Sequence, residues 1–230
     1  MPQLILAVDT SGKKGSIALA RVTTGQLQAE MLEVVALTGG AFSAQLVPEI
    51  AILLEKHGHS RKDLQAFAVV SGPGSFTGLR VGLAAIKALA EALHKPIVAI
   101  SLLEAVACSG SRKKDRVLAA LDAGRGDVYA GDYELDPEPG TSARMYSERL
   151  LSREDFLAEA AQKAVITPDT AVAETARAAA IRIEQIDYPD AAVIARIGWR
   201  HLQSGETIRP EELEANYIRH SDAEIFSKPR

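Results

Sequence analysis

The chain has 230 residues, 47% of them hydrophobic, enough to bury a substantial core as one large domain or two small ones. Its formal net charge is −4 with Lys and Arg dispersed, which argues against a free-standing nucleic-acid binder built on a basic face. A lone cysteine, Cys108, forbids an internal disulfide, and no apolar run approaches the ~20 residues of a membrane span. A soluble cytoplasmic protein without membrane contact is the expectation.

Leu4 to Val8 reads as a buried strand ending in Asp9-Thr10-Ser11-Gly12, and the run is too short for a signal sequence. Ser16 to Val22 and Leu27 to Leu37 follow as two more strands. Thr38-Gly39-Gly40 breaks the chain, and Ser43 can cap a helix reaching about His57, with Pro48 near its first turn.

Ala66 to Val70 is a buried strand, followed by the glycine-rich turn Ser71-Gly72-Pro73-Gly74-Ser75 and a long helix that Ser75 or Thr77 can cap. At about 100° per residue, Arg80, Lys87, Glu91 and His94 form one narrow polar stripe. Opposite them lie Gly78, Gly82, Ala85, Leu89 and Ala92. Leu79, Leu83, Ile86, Ala90 and Leu93 flank that face on one side, Val81, Ala84 and Ala88 on the other. A surface helix needs an apolar stripe of only ~100°, so this helix calls for cover on more than one side. Either the chain's own helices or a partner chain supplies it, and the helix alone favours neither.

The glycine loop does not match a phosphate cradle. No lysine follows Gly78 as a P-loop requires, and Gly72, Gly74 and Gly78 are spaced one residue too widely for G-x-G-x-x-G.

Ile97 to Ile100 forms a short strand, and Ser101 caps a helix over Leu102 to Cys108. A linker spans Gly110 to Asp115, with the basic run Arg112-Lys113-Lys114 inside it. Then the pattern restarts: a strand over Arg116 to Leu121, Asp122 with Gly124 and Gly126, and an alternating strand over Asp127 to Leu135. Ala143 to Leu150 gives a third strand, Glu154 to Gln162 a helix, and Ala164 to Thr167 and Ile181 to Ile186 short strands around an Ala171–Ala180 helix. Pro189 to Gln203 is an amphipathic helix, and a polar tail closes the chain.

The two openings, strand–Asp–turn–strand, indicate an internal duplication of a β-β-β-α-β-α unit. Two α/β domains of mixed sheet follow, residues 1–110 and 111–230, with the tail from about 210 packing back on the first. Duplicated openings of this kind belong to the actin, Hsp70 and sugar-kinase architecture, whose turns grip ATP phosphates through peptide N–H groups. Asp9, Thr10 and Ser11 in one turn and Asp122, Gly124 and Gly126 in the other are therefore candidate weak phosphate-binding residues. The adenosine glycine turn is missing, however, since no glycine stands between Gly140 and Gly198. The five histidines form no H-x-x-x-H or HExxH pair. No metal, no cofactor and no catalytic set is expected.

The motifs Ile5-Leu6-Ala7-Val8-Asp9-Thr10-Ser11, Ser71-Gly-Pro-Gly-Ser-Phe-Thr-Gly-Leu-Arg-Val-Gly82 and Ser101-Leu-Leu-Glu-Ala105 resemble the bacterial TsaB (YeaZ) family. Asp122-Ala123, Gly126-Asp127-Val128-Tyr129 and Asn216-Tyr217-Ile218-Arg219 add to the resemblance, of which the GPGSFTGLRVG run is the most specific part. It implies a duplicated actin-like ATPase (ribonuclease H-like) α/β fold and a non-catalytic role in making N6-threonylcarbamoyladenosine at position 37 of tRNAs reading ANN codons. The implied partners are the homologous transferase TsaD and the ATPase TsaE, with a homodimer when alone and tRNA met only through the complex. The implied pairing surface is a bundle of the first two long helices. Its candidates here are Ser43, Leu46, Val47, Ile50, Leu54, Gly78, Gly82, Ala85 and Leu89. Phe42 stands where the family's first helix usually has His before Ser, and Gly124 where it commonly has Arg. The competing class is a kinase or ATPase of the same superfamily acting on its own.

Overall fold

The computed structural model describes residues 3–23, 29–111, 116–135 and 143–218. The chain builds β1 (Gln3–Asp9), β2 (Gly15–Val22), β3 (Glu30–Leu37), α1 (Phe42–Lys56), β4 (Leu64–Gly72), α2 (Phe76–Leu93), β5 (Ile97–Ser101) and α3 (Leu102–Ser109). The second half repeats the series: β6 (Arg116–Gly124), β7 (Asp127–Leu135), β8 (Ala143–Leu151), α4 (Arg153–Ala160), β9 (Ala164–Thr167), α5 (Thr170–Ala178), β10 (Ile183–Gln185) and α6 (Ala191–Ser204).

Strand order makes the duplication explicit. The first sheet runs β3-β2-β1-β4-β5, and the second, read from its far edge, runs β8-β7-β6-β9-β10. In each, the first three strands form an antiparallel meander and the later two join in parallel through helical crossovers. The long apolar run in β1 fits this plan. Successive strand side chains point to opposite faces, and every residue from Leu4 to Asp9 is buried, so the sheet must be covered on both sides.

The covers come from both halves. α1 and α2 pack on the first sheet, while α6 contacts β1, β2, β4 and β5 of that sheet. Ala191, Ile194, Ala195, Ile197 and Trp199 of α6 thereby enter the same core as Ile5, Leu6 and Ile17. A Cβ on Gly198 would stand 2.6 Å from the Ala68 methyl, so α6 lies against β4 at glycine range. α3 sits between the sheets, touching β4 and β5 as well as β6 and β7. A smaller cluster around Phe156, Val165 and Val172 closes the second sheet under α4 and α5.

Several boundaries differ from those the sequence suggests. α1 starts at Phe42 with Ala41 at its N-cap and no side-chain cap, so Ser43 lies inside the helix instead of capping it. Pro48 is the seventh residue of α1, beyond the first turn. Ser75 and Ser101 do cap their helices, accepting from Gly78 N at 3.3 Å and Leu103 N at 3.1 Å. Leu27 and Lys113 fall outside the described residues, as do the rest of 24–28 and of 112–115.

The C-terminal segment lies on the first half. Ile208 bridges Ile97, Asn216 N donates to Ser71 O at 2.8 Å, and Arg80 Nε donates to Tyr217 OH at 3.3 Å.

Candidate functional site

β1 ends at Asp9, and the turn after it is held by the loop between β4 and α2. Asp9 Oδ1 accepts from Ser11 N at 2.8 Å and from Ser11 Oγ at 2.6 Å. Thr10 Oγ1 donates to Gly78 O at 2.8 Å, and Ser75 N donates to Ser11 O at 2.7 Å. Asp9, Thr10 and Ser11 are all buried. Burial pushes the Asp9 carboxyl above its ordinary value, the Ser11 hydrogen bonds working against that rise.

The glycines of the loop serve this contact. A Cβ on Gly74 would stand 2.6 Å from Ser11 O, and one on Gly78 or Gly82 would overlap Thr10. Gly72, at φ 142°, backs onto Asn216 O. The glycine-rich run is thus a seat for the Thr10–Ser11 turn on one side and for the C-terminal segment on the other.

The second turn keeps its donors to itself as well. Gly124 N donates to Asp122 Oδ1 at 2.8 Å, and Asp122 N donates to Asp169 Oδ2 at 2.7 Å. Gly124 and Gly126 take positive φ values of 71° and 88°, as the tight reversal between β6 and β7 requires. A phosphate needs N–H groups aimed outward. In these turns Ser11 N, Asp122 N and Gly124 N donate to carboxylates, which takes those three groups out of any such cradle.

α1 and α2 place the interface candidates in three settings. Leu46, Ile50 and Leu54 are 1–2% exposed and belong to the chain's own core. Gly78 and Gly82 are buried against Thr10. Ser43 and Val47 are exposed, and Ala85 and Leu89 are half-buried. The expectation that Gly82 centres a partner-facing surface is therefore corrected: Gly78 and Gly82, at the amino-terminal end of that face, are internal packing against Thr10. What stays uncovered is the flank carrying Ala84, Ala88 and Ala92, with Val81 and Ala85 at its margin. On α1, Val47 at 51% and Ile52 at 55% exposure, beside Ala44, Pro48 and Ala51, form a second uncovered apolar surface.

A further cluster is spread over four stretches of sequence: Ser101 and Asn216 stand in two of the motifs quoted above, but no motif joins them to Tyr133 and Glu148. Glu148 Oε1 accepts from Ser101 Oγ and from Tyr133 OH, and its Oε2 accepts from Asn216 Nδ2 at 2.9 Å. Beside it, His201 Nε2 lies 2.9 Å from Oε1 of the buried Glu104.

Comparison with known proteins gives a consistent picture. Residues 36–144 match the family model "TsaD: tRNA N6-adenosine threonylcarbamoyltransferase". The tRNA threonylcarbamoyladenosine biosynthesis protein TsaB of Bacillus subtilis (strain 168) is 36% identical over 130 residues, 56% of this chain and 55% of the relative. The protein of the same name from Escherichia coli (strain K12) is 34% identical over 134 residues, 57% and 55% of the two chains. The solved YeaZ of Pseudomonas aeruginosa superposes with a TM-score of 0.75 at 26% identity, covering 94% of this chain and 99% of that one. These likenesses support the TsaB/YeaZ family.

A second structure, described as an uncharacterized protein with similarity to peptidase YeaZ from Pseudomonas aeruginosa, matches with a TM-score of 0.75 at 28% identity, over 94% and 100% of the two chains. The TsaB/YeaZ likeness over both sheets fits the duplicated actin-like, ribonuclease H-like α/β fold. In sequence, this chain spans about half the length of the curated TsaB relatives it matches. Among the described residues no helix is long and apolar enough to cross a membrane, and no cluster of three His, Cys, Asp or Glu side chains could hold a metal.

Proposed function

We propose that the chain is a non-catalytic assembly subunit for threonylcarbamoylation of adenosine 37 in tRNAs reading ANN codons. In this reading it pairs with a TsaD-type transferase, joined by a TsaE-type ATPase, and forms a homodimer when alone. It works in the cytoplasm and meets tRNA only through the complex. Residues 1–110 form the subdomain that carries the pairing helices and 111–230 the second.

The names of the TsaB relatives support the role. The observation that carries the pairing is the uncovered apolar surface on α1 and α2, helices that otherwise pack into the core. Exposed apolar side chains gathered on two neighbouring helices gain by about 25 cal/mol for each Å² removed from water. The rival reading, an ATP-dependent enzyme acting alone, is not favoured. It calls for outward-facing donors at the two turns, and Ser11 N, Asp122 N and Gly124 N donate to side-chain carboxylates instead.

The test is calorimetry and co-elution with the TsaD-type protein of the same organism, beside an ATP hydrolysis assay on the isolated chain. Pairing without hydrolysis is the expected result. Turnover of ATP by the chain alone, without pairing, would replace this reading by its rival.

A further inference from the structure

The segment after α6 lies along the first half and reaches the root of α2. Ile208 exchanges two backbone hydrogen bonds with Ile97, at 2.8 and 3.2 Å. Leu213 is 4% exposed in the main core, and Lys87 Nζ donates to Glu211 O at 3.4 Å. Asn216 then stands astride the two halves. Its backbone N donates to Ser71 O in β4 at 2.8 Å, and its carbonyl oxygen fills the space a Cβ on Gly72 would need. Its side chain reaches the other way, donating to Glu148 Oε2 of β8 at 2.9 Å. Ser101 and Tyr133 hold the other oxygen of Glu148, so the carboxylate offers Asn216 a fixed acceptor.

What this fixes is Tyr217. Its ring centroid lies 5.4 Å from that of Phe76, and its hydroxyl accepts from Arg80 Nε at 3.3 Å. The Arg80 guanidinium lies over the Phe76 ring, 3.6 Å from its centroid, yet Phe76 is still 45% exposed. Phe76, Arg80, Ala84, Ala88 and Ala92 are spaced four apart and all are exposed, so they form one ridge along α2. Ridges of this spacing are what one helix presents to the groove of another. The alanines allow close approach but have little side chain to bury. Binding energy at protein interfaces concentrates in aromatic and arginine side chains. On this ridge they stand at the amino-terminal end, beside Tyr217.

We infer that Phe76, Arg80 and Tyr217 anchor the surface that receives the TsaD-type partner, and that Glu148 and Asn216 are positioning residues that hold Tyr217 within it. This assignment rests on the pairing reading and deepens it. The C-terminal segment, and through Glu148 the second half, take part in a contact otherwise confined to two helices of the first. The TsaD-type protein is the occupant because the ridge is continuous with the uncovered Ala84, Ala88 and Ala92 flank on which that pairing rests. The partner group that fits the anchor is an apolar side chain closing over the open face of Phe76 and the edge of Tyr217.

Calorimetry of the full chain with the TsaD-type protein of the same organism, beside hydrogen exchange of the isolated chain, tests both parts. Phe76→Ala and Tyr217→Ala should each weaken pairing by at least about tenfold. Asn216→Asp sets a second carboxylate against Glu148, and it should lower the protection of its own amide and weaken pairing to a similar degree. Glu148→Gln, added to it, still accepts from Ser101 and Tyr133 and now donates to the new carboxylate. The double variant should therefore recover both amide protection and pairing, which independent structural damage at the two positions would not allow. Native affinity in Phe76→Ala and Tyr217→Ala overturns the anchor, as does loss of a homodimer by these variants with partner affinity unchanged. Failure of the double variant to recover overturns the positioning role. If the native chain does not pair at all, the reading beneath fails and the anchor with it, while the exchange measurement still decides whether Glu148 holds the segment.

Discussion

Thr10 and Gly82 are in direct contact: the threonine hydroxyl occupies the space a Cβ on Gly82 would need, while it donates to Gly78 O at 2.8 Å. This locks α2 to the end of β1 within one chain. Gly82→Leu should therefore destabilise the protein itself, by about 1–3 kcal/mol from overpacking. The helix-propensity gain on losing glycine, ~1 kcal/mol, offsets only part of that. A thermal melt should show a fall of several degrees, at roughly 2–4 °C per kcal/mol for this size. An unchanged melting temperature would mean that Thr10 swings away at little cost.

The pairing surface should respond to substitution on the uncovered flanks. Val47→Asp and Ala88→Glu alter exposed side chains, so stability should move by no more than about 0.5 kcal/mol. Affinity for the TsaD-type partner should drop by at least about tenfold, or 1.4 kcal/mol. Leu46→Asp, one residue from Val47 but 1% exposed, should instead unfold the chain. If both surface variants pair normally in calorimetry, the contact lies elsewhere.

His201 makes stability depend on pH near neutrality. Burial pushes its ring down, but the hydrogen bond to Glu104 and the charges of Glu104 and Glu206 outweigh that and leave it above its ordinary value. A raised histidine stabilises fully below its unfolded value of about 6.5 and loses that contribution as pH rises through the folded one. The melting-temperature advantage of the native chain over His201→Gln should thus be larger at pH 6 than at pH 9. An advantage that grows toward pH 9 would contradict the pairing with Glu104.

Asp132 works in the opposite direction. Burial pushes its carboxyl up, yet hydrogen bonds from Arg116 and Lys163 hold it below the ordinary value. Arg116 reaches it at 2.8 and 2.9 Å and Lys163 at 2.6 Å. Its contribution is present above about pH 3.9 and is lost as pH falls through the lowered folded value. Asp132→Asn should cost about 1–3 kcal/mol at pH 7, and the gap should narrow in denaturant melts at pH 3. Equal stability of the two proteins at pH 7 would mean the ion pairs contribute nothing net.

The sheets were legible because their signal is local. The apolar run of β1, the alternation of β7 and the repeated Asp9 and Asp122 turns are all contained in short stretches, and the duplication follows from comparing them. Faces were harder to read. Periodicity shows that Gly78 and Gly82 share a side of α2, but not that Thr10, 68 residues before Gly78, fills it. The same holds for Leu46, Ile50 and Leu54, whose spacing fits an inward face as well as an outward one. The cluster on Glu148 was invisible for a stronger reason: Ser101, Tyr133 and Asn216 reach it from three separate elements, and no spacing relates them.

The seat of α6 on the first sheet has a consequence for how the chain is born. Ile5 and Ile17 leave the ribosome early, while Ile194, Ala195 and Ile197, which share their core, follow almost a whole chain length later. At about 5–20 residues per second, that is a delay of roughly ten seconds or more. Throughout it one face of a five-stranded apolar sheet lacks its own helix. The nascent amino-terminal half should therefore be a strong client for holding chaperones until α6 arrives. Synthesis stalled before Ala191 should leave a polypeptide that aggregates, however well its own strands pair.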